Sequence, residues 1–69
     1  MPRITVNGED REVSDELTIM ELLELMDVKF REVGLAVAVN DEVVPKSEYK
    51  TRRVKEGDKV EIVQLVGGG

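Results

Sequence analysis

The residues of this sequence best placed to do chemistry carry no side chains. They are Gly67-Gly68-Gly69, the last three of 69. Glycine permits a close backbone approach that any Cβ blocks, so such a run can thread a narrow channel and present its own α-carboxylate. A bland unstructured end has the same composition. Side-chain chemistry has little to draw on. The sequence holds no His and no Cys. A Cys–His pair, a Ser-His-Asp triad and an imidazole base are therefore excluded, as are a disulfide and a Cys or His zinc site. The aliphatic hydroxyls are Ser14, Ser47, Thr5, Thr18 and Thr51, and none lies in a nucleophile-elbow pattern. If this chain reacts, the group expected to do so is the carboxylate of Gly69.

A reactive terminus needs a base to project from. A chain of this length is one small domain, which buries roughly 60% of the surface its unfolded form exposes. Arg3–Asn7 alternates with period two and reads as a strand with Ile4 and Val6 inward. Asn7-Gly8 is a type I′ hairpin signal, with a second strand expected at about Arg11–Val13. Thr18-Ile19-Met20-Glu21 is a capping box. It opens a helix through about Met26, with Ile19, Leu22, Leu23 and Met26 on one face. Phe30 is expected to pin the connector that follows, and Gly34 to break it. Leu35–Val39 is an apolar strand, Asn40-Asp41 a turn, and Glu42–Val44 a short return strand ended by Pro45. Ser47 can cap a single helical turn. Glu56-Gly57-Asp58 is a tight turn, and Lys59–Val66 is the last strand. This α+β order, with one helix laid across a mixed sheet, is that of the ubiquitin-like β-grasp. The expected layout is a domain over residues 1–66 and a flexible tail over 67–69.

If Val60 and Ile62 face the helix, period-two alternation sends Val63 and Leu65 to the other face. Ala36 and Ala38 on the neighbouring strand widen that outer surface. Two readings stand: a partner-binding patch, or the incidental apolar surface of most proteins.

Charge is uneven. Residues 1–27 hold eight acids and two bases, and residues 28–69 seven acids and eight bases, giving the overall −5. The bases Lys46, Lys50, Arg52, Arg53, Lys55 and Lys59 cluster. They form either a solvated face or a surface that steers docking. The acidic balance and the two aromatics, Phe30 and Tyr49, argue against a nucleic-acid binder. No apolar run approaches a membrane span, and no signal pattern opens the sequence, so a cytoplasmic location is expected.

The segments Ala36-Val37-Ala38-Val39-Asn40-Asp41-Glu42-Val43-Val44-Pro45, Gly57-Asp58-Lys59-Val60-Glu61-Ile62 and Val66-Gly67-Gly68-Gly69 fall in a familiar order. Together they resemble the ThiS-type sulfur carriers of thiamine biosynthesis, over nearly the whole chain. The resemblance implies a protein cosubstrate and not an enzyme. A ThiF-type adenylyltransferase would use ATP and Mg²⁺ to adenylate the Gly69 carboxylate. A cysteine desulfurase system would supply sulfur to make a thiocarboxylate. A ThiG-type thiazole synthase would accept that sulfur while building the thiazole ring from a deoxyxylulose phosphate and a glycine-derived imine. By the same resemblance Gly69 bears the sulfur and Gly68 keeps its approach slim, with Gly67 preceding the required pair. The chain itself would bind no cofactor or metal. MoaD-like subunits of molybdopterin synthase share the tail but usually carry Phe and a Pro-rich stretch before it. Here that segment is Ile62-Val63-Gln64-Leu65-Val66. Other ubiquitin-like carriers or modifiers share the terminus, and a non-covalent β-grasp interaction module would not need it free.

Overall fold

A computed structural model describes residues 1–14 and 17–65. Val66 and the expected tail at Gly67, Gly68 and Gly69 lie outside the described residues.

The first hairpin joins β1 (Arg3–Val6) to β2 (Glu9–Glu12), paired from Arg3↔Glu12 to Val6↔Glu9. Asn7 and Gly8 have φ of 50° and 84°, so the connection is the left-handed pair that a type I′ turn requires. Asn7 therefore belongs to the turn and not to the strand. β2 begins earlier than its apolar content suggests, at Glu9 in place of Arg11. Val13 lies beyond it, buried, with its N–H donated to the Pro2 carbonyl at 3.0 Å.

Helix α1 (Ile19–Leu25) opens on the expected capping box. Thr18 Oγ1 accepts from the Glu21 N–H at 3.1 Å, and Glu21 Oε1 accepts from the Thr18 N–H at 2.9 Å. Met26 is the C-cap and not part of the helix. Asp27 follows in the left-handed region at φ 61°. Its N–H reaches the Glu24 carbonyl at 3.0 Å, and that of Val28 reaches Leu23 at 2.8 Å. These two bonds make a Schellman ending with aspartate where glycine is usual.

β3 (Leu35–Val39) turns through Asn40 and Asp41, at φ 51° and 71°, into β4 (Glu42–Val43). Val44 is outside β4 but still donates to the Val37 carbonyl at 2.8 Å. The following 3-10 turn covers Lys46–Glu48. Its cap position is Pro45, with no side-chain hydrogen bond, so Ser47 sits inside the turn and does not cap it. Phe30 reaches the core edge as expected, its ring 5.9 Å from that of Tyr49 and at 87° to it.

β5 (Lys59–Gln64) is last in sequence and central in space. The sheet order is β2-β1-β5-β3-β4, with β5 parallel to β1 and antiparallel to β3. The face toward α1 carries Ile4, Val6, Val37, Val39, Val60 and Ile62, packed on Ile19, Leu22 and Leu23. Burial of these branched side chains on one face is the main favourable term available to so small a chain. β5 ends at Gln64 and not at residue 66. Its neighbour β3 begins at the pair Leu35↔Gln64, and one further backbone bond, from the Leu65 N–H to the Gly34 carbonyl, continues that register.

Candidate functional site

The opposite face of the sheet is uncovered. Ala36 stands across from Val63 in the β3–β5 register, and Ala38 across from Glu61. Val63 is 56% exposed and Leu65 68%. Ala36 is exposed and Ala38 half-buried. Ala36, Val63 and Leu65 line one shallow apolar hollow of about 240 Å³ together with Gly34 and Leu35. Ala38 does not line it. It forms the flank, with Val43 of β4 as its other cross-strand neighbour, itself exposed. Three of the four expected patch residues are thus brought together, among them Leu65, the last described residue.

Leu65 is held although it lies outside β5. Its N–H donates to the Gly34 carbonyl at 2.8 Å, and its own carbonyl accepts from Arg31 Nη1 at 3.3 Å. Gly34 has φ +84°, and a Cβ there would stand 3.5 Å from the Leu65 oxygen. One residue on, Lys46 Nζ donates to the Leu35 carbonyl at 2.8 Å. Two cations therefore fasten backbone carbonyls at the corner where β5 ends beside the start of β3. Composition marked Gly34 as a break, but nothing local marks Arg31 or Lys46 as its partners.

At the far end of β5 from the hollow lies a small charge cluster. Lys59 Nζ lies 2.9 Å from Asp41 Oδ1 and 3.9 Å from Glu61 Oε1. The hydrogen bond and charge of Asp41, with Glu61 behind it, raise the lysine's pKa. Among the described residues no group of His, Cys, Asp and Glu is arranged to hold a metal ion. None of the described helices is long and apolar enough to cross a membrane.

The model of the ThiS family matches residues 4–69. The chain belongs to the ThiS family. Among ThiS-family relatives, the sulfur carrier protein ThiS of Escherichia coli is 31% identical over 67 residues, 97% of this chain and 98% of that protein. A thiazole synthase of Paramagnetospirillum magneticum is 45% identical over 67 residues, and there the chain spans 20% of the longer protein. The crystal structure of the thiamine biosynthesis protein ThiS from Geobacter metallireducens matches with a TM-score of 0.79 at 33% identity, covering 97% of this chain and 99% of that one. The ThiS match agrees with the β-grasp order read from the sequence and with the mixed sheet carrying one helix.

Proposed function

We propose that this ThiS-family chain is a sulfur carrier of thiamine biosynthesis, working in the cytoplasm as a cosubstrate and not as an enzyme. The observation that carries the reading is the family match reaching residue 69. The exposed hollow beside Leu65 supports it.

The chemistry belongs to the Gly69 carboxylate. A carboxylate is a poor electrophile. A ThiF-type partner, using ATP and Mg²⁺, couples a carboxylate oxygen to the α-phosphorus, and pyrophosphate leaves. Persulfide sulfur from a cysteine desulfurase system then attacks the acyl carbon and AMP leaves; a partner thiol cleaves the resulting acyl disulfide, giving the thiocarboxylate and a disulfide. That sulfur is the nucleophile handed to a ThiG-type thiazole synthase. Gly68 and Gly67 contribute only the absence of side chains. Val63, Leu65 and Ala36 form the docking patch, with Ala38 at its edge.

Intact mass decides the reading. After incubation with ATP, a sulfide source and a competent ThiF-type enzyme, the chain should gain the difference between one sulfur and one oxygen. Removing Gly69, or adding one residue after it, should abolish the gain. Activation of the extended chain would overturn the reading, and full function of a blocked or extended chain with no mass gain would favour a β-grasp module that binds partners without covalent chemistry.

A further inference from the structure

We propose that Asn7 is a site of spontaneous deamidation through the Gly8 nitrogen, held in check by the bonds of its amide to Ile62, so that opening of the β1–β5 seam is recorded as a permanent change at residue 7. The site is independent of the carrier reading.

Asn7 is followed by glycine, and that order suits ring closure. With no Cβ on residue 8, nothing shields its nitrogen from the Asn7 side chain. The Gly8 nitrogen attacks the Asn7 Cγ, a C–N bond forms, and the Cγ–Nδ2 bond breaks. Nδ2 leaves as ammonia with the proton that Gly8 gives up. One water then opens the succinimide. Attack at Cγ gives aspartate, and attack at the main-chain carbonyl carbon gives isoaspartate. The step consumes only water. Asn7 and Gly8 are both exposed, so water reaches them. A Cβ at Gly8 would meet no atom within 4 Å, so the turn is uncrowded.

The folded chain holds the amide elsewhere. Asn7 Oδ1 accepts from the Ile62 N–H at 2.7 Å, and Nδ2 donates to the Ile62 carbonyl at 3.2 Å. The Asn7 backbone is tied as well, its N–H donating to the Val60 carbonyl at 2.9 Å. Both amide heteroatoms are thus engaged with β5, and closure onto Gly8 requires that both bonds break first. Asn40, the other asparagine, supplies the contrast. It too is left-handed, at φ 51°. Its Oδ1 accepts from the Lys59 N–H at 2.9 Å, and its Nδ2 donates to Asp58 Oδ1 at 3.0 Å. Residue 41 is aspartate, whose Cβ crowds the attacking nitrogen. Two asparagines are gripped alike, and only one has a reactive neighbour. Conversion is not neutral for the fold. Aspartate at position 7 keeps an acceptor for the Ile62 N–H but sets an ionised oxygen against the Ile62 carbonyl, which loses its donor. Isoaspartate lengthens the backbone of a two-residue turn that sets the hairpin register. Either product weakens the seam whose opening produced it.

The test follows the full-length chain by intact mass and peptide mapping at neutral pH, folded and in urea. In urea Asn7 should convert, exchanging an amino group for a hydroxyl in mass, while Asn40 lags behind. In the folded chain Asn7 should convert roughly tenfold more slowly or less. When opening and closing are fast against the chemistry, the rate follows the open fraction. The ratio of folded to unfolded rates should therefore match the open fraction read from hydrogen exchange of the Ile62 N–H, the donor bonded to Asn7. Asn7→Asp, which makes one product directly, should unfold at lower urea than the unaltered chain. Absence of conversion at Asn7 in urea would overturn the site, and equal conversion at Asn40 would overturn the role of Gly8. Equal rates in the folded and unfolded chain, or a mismatch with the Ile62 exchange of more than about tenfold, would overturn Ile62 as the check. An unchanged midpoint for Asn7→Asp would overturn the weakening of the seam.

Discussion

The side-chain amide of Asn7 grips the backbone of Ile62 on both sides. Its Oδ1 accepts from the Ile62 N–H at 2.7 Å, and its Nδ2 donates to the Ile62 carbonyl at 3.2 Å. The parallel pairing of β1 with β5 has ended by then, at Val6↔Val60. One side chain thus continues the ladder beyond the point where the backbone of Asn7 turns away at φ 50°. Asn7→Ala loses two hydrogen bonds and a tolerated left-handed residue, and should cost about 2–3 kcal/mol in urea unfolding. Asn7→Gly keeps the turn and loses only the amide, so its cost should be the smaller. Equal losses in the two variants would count against a role for the amide.

Asp27 stands at the left-handed position that ends α1. Glycine reaches that conformation without a Cβ penalty. Asp27→Gly should therefore raise stability by about 0.5–1 kcal/mol, read from the shift of the denaturation midpoint at constant slope. A lower midpoint would show that the aspartate side chain contributes more than its backbone strain costs.

The Glu21 carboxylate accepts the Thr18 backbone N–H, and this bond, followed by the Thr18 hydroxyl, lowers its pKa. A carboxyl whose pKa is depressed by folding adds stability at neutral pH. That contribution is lost as pH falls from its ordinary range through the depressed value. Glu21→Gln keeps an acceptor for the capping box and cannot titrate. Its stability should fall less steeply than that of the unaltered chain between neutral and acidic pH. Superimposable acid limbs would remove Glu21 from the account.

Leu22 is fully buried against the sheet. Leu22→Ala should cost about 2–5 kcal/mol. The whole fold is worth only about 3–10 kcal/mol at this length. A large unfolded fraction at 37 °C, seen by circular dichroism, is the expected result.

Leu65→Asp and Val63→Asp should behave oppositely. Both side chains are more than half exposed, so stability should change by no more than about 0.5 kcal/mol. Affinity for a ThiF-type or ThiG-type partner should fall at least tenfold if the hollow is the docking patch, by calorimetry on folded protein. Lost stability with unchanged affinity would return these residues to the core.

Features that local chemistry dictates were legible in the sequence. The Asn7-Gly8 turn, the Thr18–Glu21 capping box and the apolar run of β3 each depend on neighbours within four residues. The outward set of Val63, Leu65, Ala36 and Ala38 follows from alternation once β5 is recognised. What stayed hidden is set from far away in the chain. β2 has no apolar residue of its own and exists because β1 pairs with it. β5 stops where β3 stops, a limit written at Leu35. Ser47 has the right chemistry for a cap, yet Pro45 already holds the extended backbone of that position. Arg31 sits in a polar connector with no periodicity, and only folding brings it to Leu65.

The centre of the sheet is the last strand in the chain. β1 and β3 have no ladder to each other; β5 is the strand that pairs with both. During translation the first hairpin and α1, then β3 and β4, emerge as unjoined halves. They cannot close into one core until residues 59–64 clear the ribosome. A chain cut short before that strand should not hold its shape. Closure of the sheet thus waits on the strand that is made last.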